Sequence, residues 1–230
     1  MRRDVQGVVL LMLSVLIFRL ALGGAYVYYV KVSMKPLLLV SASVLLILGL
    51  VLVRDVWRGG DDGGHDDGHG HAGLSRVSWL ILLPVLVVFV VAPRPLGSFT
   101  AGRQLASAPV VAQPAELLPL PPGDPVDLAI ADYITHAEWG KGETLRGREI
   151  RLTGFVTPNP DGGWWITRLG LACCAADALS WRAQVRGVRA PSPDSWVEVT
   201  GRWVDGAEDG VPAIDATDVT SIAEPQNPYE

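Results

Sequence analysis

Glu149-Ile150-Arg151-Leu152-Thr153-Gly154-Phe155-Val156 is the stretch that decides the fold of the C-terminal half. Ile150, Leu152 and Val156 fall on one face, with Glu149, Arg151 and Thr153 on the other. Alternation with a period of two marks a half-buried strand, and Gly154 inside it predicts a bulge. Downstream, Asp161-Gly162-Gly163 reads as a turn into Trp164-Trp165-Ile166-Thr167, and Trp181 to Arg186 alternates again. Pro191-Ser192-Pro193-Asp194 turns into a strand over Ser195 to Val204, and a last strand covers Ala213 to Ile222. Upstream, Asp124-Pro125-Val126-Asp127 predicts a helix start, with Asp as N-cap and Pro at the first helical position. Val126, Ile130 and Ile134 form its buried face and Gly140 ends it. One helix followed by five short strands predicts a small all-β domain over 124–230, an OB-like Greek-key barrel, with an irregular β-sandwich as the alternative.

A barrel of that kind invites a nucleic-acid reading, which charge opposes. Residues 124–230 hold nine Lys and Arg against seventeen Asp and Glu, the wrong sign for a phosphate-binding groove. Enzyme signatures are absent as well: there is no Gly-rich phosphate loop and no nucleophile elbow. His136, the one histidine of this half, reads as structural.

The N-terminal half is apolar. Runs at roughly Val5–Val30, Pro36–Val53 and Val77–Ala92 each approach the ~20 residues that a membrane-spanning helix needs. The first run is too long for a signal-peptide core and a second follows at once, which favours an uncleaved anchor. The expectation is two transmembrane helices within 1–58 and a third within 74–96. Arg2, Arg3, Arg54, Arg58 and Arg76 would lie on one side and Lys31, Lys35, Arg94 and Arg103 on the other. With the N-terminus inside, the chain is a multi-pass protein of the cell membrane and its C-terminal domain is extracytoplasmic. Arg19 either faces a bundle interior or snorkels toward the headgroups.

Two connecting segments carry composition signals. Residues 59–73 form a Gly/Asp/His-rich loop in which His65, His69 and His71 stand among four aspartates. Imidazole with carboxylate suits zinc, nickel or copper; incidental histidines in a solvated acidic loop are the alternative. Residues 97–123, with Pro109, Pro114, Pro119, Pro121 and Pro122, read as an extended linker.

The only two cysteines are adjacent, in Cys173-Cys174-Ala175-Ala176-Asp177-Ala178. If this segment makes a helical turn, Asp177 shares a face with both thiols. Two thiolates and a carboxylate could hold zinc, copper(I) or trivalent arsenic. A strained vicinal disulfide and a pair of small buried residues are the other two readings.

The run at 173–178, together with Thr167-Arg168, Trp196-Val197-Glu198-Val199-Thr200-Gly201 and Pro225-Gln226-Asn227-Pro228-Tyr229, resembles the YcgQ-like family of bacterial membrane proteins. That resemblance implies the smaller subunit of a two-component permease, beside a polytopic partner similar to organoarsenical-efflux permeases. The expected function is therefore an accessory permease subunit, in contact with membrane lipid and a polytopic permease subunit and not with nucleic acid. Its β domain would bind or sense a soft metal or a thiol-reactive solute through Cys173, Cys174 and Asp177. A stand-alone envelope metal-binding protein using His65, His69 and His71, or a purely structural assembly module, are the competing readings.

Overall fold

The computed structural model describes residues 3–58, 87, 95–103, 114, 116–208 and 210–230. The histidine loop and, apart from Val87, the third apolar run lie outside the described residues. The chain divides into two compact units, Met1–Arg94 and Pro95–Glu230.

In the first unit, helix α1 (Arg3–Leu22) and helix α2 (Lys35–Trp57) form a hairpin through two short 3-10 turns. The hairpin closes on small residues. Gly7, Ser14 and Ala21 recur every seven positions on α1, and Ala42 and Gly49 do so on α2. All five are buried. Heptad spacing keeps one seam facing the partner helix, and small side chains let the backbones approach. The Ser14 hydroxyl donates to the Ala42 carbonyl at 2.8 Å. A Cβ on Gly49 would lie 2.9 Å from the Leu11 side chain and 3.2 Å from the Gly7 carbonyl. The opposite face of α2 is apolar and open, with Leu37, Val40, Ile47 and Leu50 each more than half exposed. The stretch Val32–Trp57 is long and apolar enough to cross a membrane; Gln6–Leu22 is apolar but shorter. Arg19 falls in the last turn of α1.

The second unit is built on a five-strand barrel. Its strands are β2 (Ile150–Pro158), β3 (Trp164–Gly170), β4 (Leu179–Arg186), β5 (Trp196–Glu208) and β6 (Val211–Ser221). The hydrogen-bonded order is β2-β3-β4-β6-β5, and β5 pairs back onto β2 to close the ring. Closure removes the exposed sheet edges that would otherwise template association. β4 and β6 run parallel; the other barrel pairs are antiparallel. The core joins Ile150, Leu152, Val156, Trp164, Ile166, Val185, Val197, Val199 and Ile214.

Two expectations fail here. Val126–Leu128 is a short strand, β1, running parallel to Ile150–Leu152, and not the first turn of a helix. Val126 and Leu128 are buried and Asp127 is exposed, a period-two pattern that outweighs the Asp-Pro start signal. The helix, α4, begins later, over Ile130–Glu138, and Asp124 does not cap it. Its free N–H groups at Ile130 and Ala131 instead donate to the Glu230 carboxylate, at 2.9 and 3.1 Å.

Gly154 is also not a bulge. The β2–β5 ladder passes through it in register, from Ile150 opposite Gly201 to Phe155 opposite Trp196. A Cβ at Gly154 would sit 2.5 Å from the Thr167 carbonyl and 2.8 Å from Ile166, so the glycine serves close strand approach. The register shifts lie between β5 and β6, at Thr200/Gly201 and Val204/Glu208.

Within the segment expected to be linker, Ser98–Arg103 forms a short helix, α3. Its Ala101 is buried with Phe155, Leu169, Leu171, Ala178 and Tyr229 in a second apolar cluster. Asp194 fixes its start by accepting from the Ser98 N–H at 2.7 Å.

Candidate thiol site

The cysteines lie on the connection between β3 and β4. Leu171 and Ala178 at its two ends are buried in the second apolar cluster, which leaves the intervening residues raised toward solvent. Ala175–Asp177 makes a single 3-10 turn, with the Asp177 N–H donating to the Cys174 carbonyl at 3.0 Å. That turn brings the Asp177 carboxylate back over the residues before it. Oδ1 accepts from the Ala172 N–H at 2.9 Å. Oδ2 accepts from the N–H groups of Cys173 and Cys174, at 2.9 and 3.0 Å, and from the Cys173 thiol at 2.8 Å. Three consecutive amides thus converge on one carboxylate, an anion-binding concavity that the chain fills with its own side chain.

Electrostatics follow from that geometry. The Cys173 S–H and the backbone amides hold the Asp177 carboxyl down to about 2. Reciprocally, the hydrogen bond to Asp177 and the neighbouring Cys174 thiol push the Cys173 thiol up to about 11. Neither cysteine is in a disulfide; Cys173 is exposed and Cys174 partly so. The two sulfurs and a carboxylate oxygen lie within 4.8 Å of one another, the one such grouping among the described residues. Cys173, Cys174 and Asp177 are therefore brought together as expected, whereas His65, His69 and His71 lie outside the described residues.

Beneath the turn is a tail that sequence reasoning did not place. Tyr229 bridges Leu169 in parallel, and Leu171 N–H donates to the Glu230 carbonyl at 3.2 Å. Arg168 donates to the Asn227 carbonyl at 2.7 Å and lies over the Trp196 ring at 5.0 Å. The Tyr229 hydroxyl accepts from the Leu96 N–H at 3.0 Å. Burial raises the Glu230 carboxyl above the ordinary carboxylate range, against the two amides and Arg168, which pull it down. The signal for this latch was available in Thr167-Arg168 and Pro225 to Tyr229, but as sequence alone the two segments carry no pairing.

His136 is buried on α4, its Nδ1 hydrogen-bonded to the Thr144 hydroxyl at 2.9 Å. Burial lowers its pKa, which keeps it neutral beside the core.

Two family domains match the chain: the DUF1980 N-terminal domain over residues 5–106 and the DUF1980 C-terminal domain over residues 140–230. The second contains the whole barrel and the thiol turn. No curated protein and no solved structure matches.

Proposed function

We propose that this chain, which carries both DUF1980 domains, is a membrane-anchored accessory subunit of a permease whose barrel presents a dithiol turn to a soft metal or thiol-reactive solute. One observation carries the proposal: two sulfurs free of any disulfide and a carboxylate gathered within 4.8 Å on a solvent-facing turn. Cysteine in a stable core is usually buried and inert, whereas reactive or ligating thiols are accessible. Here the neighbours Leu171 and Ala178 are buried and Cys173 is exposed.

Membrane anchoring is supported by the apolar length of Val32–Trp57 and by the open apolar face of α2. On this reading α1, α2 and the run Val77–Ala92 are three spans, and that face meets lipid and a polytopic partner. The C-terminal domain then stands on the extracytoplasmic side. We read the barrel as the OB type, from its strand order. The permease role and the YcgQ-like assignment rest on the resemblance of the cysteine run and the tail.

Intact cells expressing the chain should be treated with a membrane-impermeant maleimide, with and without prior reduction. The proposal expects labelling of Cys173 or Cys174 without reduction, and recovery of a polytopic permease with the tagged chain from solubilised membranes. Labelling only after cell lysis contradicts the extracytoplasmic placement. Recovery of the chain alone contradicts the subunit role.

A further inference from the structure

The thiol turn offers three donor groups, but they are not equivalent. Asp177 already receives four hydrogen bonds, from the amides of Ala172, Cys173 and Cys174 and from the Cys173 thiol. An ionised carboxylate has about two acceptor positions on each oxygen, and on Oδ2, the oxygen beside the thiol, the two cysteine amides fill both even after the thiol has lost its proton. Three of those bonds hold the backbone that carries the sulfurs. Turning Oδ2 onto an ion would break the amide contacts of Cys173 and Cys174 and release the turn that sets the two sulfurs side by side. Ligation by Asp177 therefore dismantles the site it would join.

We infer that the donors of this site are the two sulfurs alone, with Asp177 as a positioning residue, and that it takes a soft monovalent ion, Cu(I), in preference to zinc. This rests on the soft-ion reading above and narrows it. Zinc in protein sites takes at least three protein ligands, with water completing the tetrahedron where there are three. Among the described residues, the grouping of His, Cys, Asp and Glu around these sulfurs stops at three, and with Asp177 held by the amides only the two sulfurs remain. Thiolates suit Cu(I) and zinc alike, but Cu(I) is satisfied by two sulfurs, and these lie within 4.8 Å, a separation one ion can bridge. On binding, each thiol gives its proton to water and two copper–sulfur bonds form. The copper arrives as Cu(I) and leaves as Cu(I), so no electron is transferred. An exposed pair with no further protein ligand leaves one side of the ion open, which suits handing it on.

The test uses the full chain in detergent, under anaerobic conditions, with His65, His69 and His71 changed to alanine so that ions held by the loop are not counted. Cu(I) and zinc are titrated separately against chromophoric competitors, and the copper-loaded protein is examined by X-ray absorption. The expected result is one Cu(I) per chain, lost in Cys173→Ser and in Cys174→Ser, with zinc at least a hundredfold weaker. The absorption data should show sulfur neighbours only. Asp177→Asn should keep the stoichiometry and weaken Cu(I) by less than tenfold. An oxygen neighbour at about 2 Å, the distance of a ligating carboxylate, overturns the inference without needing any variant. So does zinc bound as tightly as Cu(I); either result leaves the soft-ion reading standing. Failure of both ions to bind overturns the inference and the soft-ion reading together.

Discussion

Replacing Glu230 by alanine should loosen the whole barrel unit, because one carboxylate closes two of its structural joints. The carboxylate accepts from the Ile130 and Ala131 N–H groups, which have no partner within α4, and it sits in the field of Arg168. Losing an N-terminal cap costs about 0.5–2 kcal/mol. Glu230 is partly buried and bonds two of the helix's free amides, so water replaces it only in part and the loss is about 1–2 kcal/mol. For a domain of roughly 100 residues, each kcal/mol moves the melting temperature by about 4–8 °C, so a drop near 10 °C is expected. Thermal unfolding of the full chain in detergent, followed by tryptophan fluorescence, reads this directly. Glu230→Gln keeps an acceptor at the helix and removes a partly buried charge, and should cost less than half as much. The sign of the pH effect follows from burial. The folded pKa is raised, so the wild-type contribution is greatest below the ordinary carboxylate range and falls as pH rises through the folded value. The wild type should therefore lose ground to Glu230→Gln as pH rises through that window. A Glu230→Ala melting shift under about 2 °C would refute this account of the tail.

Gly154→Ala should destabilise the barrel by about 1–3 kcal/mol, since its Cβ would meet the Thr167 carbonyl. Urea unfolding should show a lower midpoint at unchanged slope. Gly49→Leu should separate α1 from α2, because the new side chain has no room against Leu11 and the Gly7 carbonyl. In a background lacking Cys173 and Cys174, a Ser14→Cys, Ala42→Cys pair should cross-link on oxidation, and adding Gly49→Leu should abolish the cross-link. Alkylation of Cys173 by iodoacetamide should be slow at neutral pH and rise about tenfold per pH unit toward about 11, because the thiolate is the nucleophile. In Asp177→Asn the rise should level off at lower pH, and an unchanged profile would mean the S–H···carboxylate bond is absent.

The barrel was legible in the sequence because its strands keep strict alternation: Ile150, Leu152 and Val156 are all buried, and each expected strand has a counterpart. The thiol turn was legible for a similar local reason, since Asp177 reaches back only three to five residues. What escaped were partnerships across long separations. Asp124-Pro125 carries a local cap signal that predicts the start of α4 there. The actual acceptor, Glu230, lies 100 positions from Ile130, and no window on the sequence joins them. Gly154 gave a signal, but bulge and close approach share it; only the Thr167 carbonyl decides between them. The seven-residue recurrence of Gly7, Ser14 and Ala21 was readable, yet the hydropathy of these runs masks it.

The central claim is that the adjacent cysteines are a binding site and not simply two small residues at a turn. Copper content settles it: full-chain protein, reduced and loaded with Cu(I) anaerobically, then freed of excess ion, is compared with the Cys173→Ser, Cys174→Ser double variant, both in the background lacking His65, His69 and His71. The account predicts one copper per chain in the parent and none in the double variant. Equal copper in the two proteins, or none in either, would contradict it.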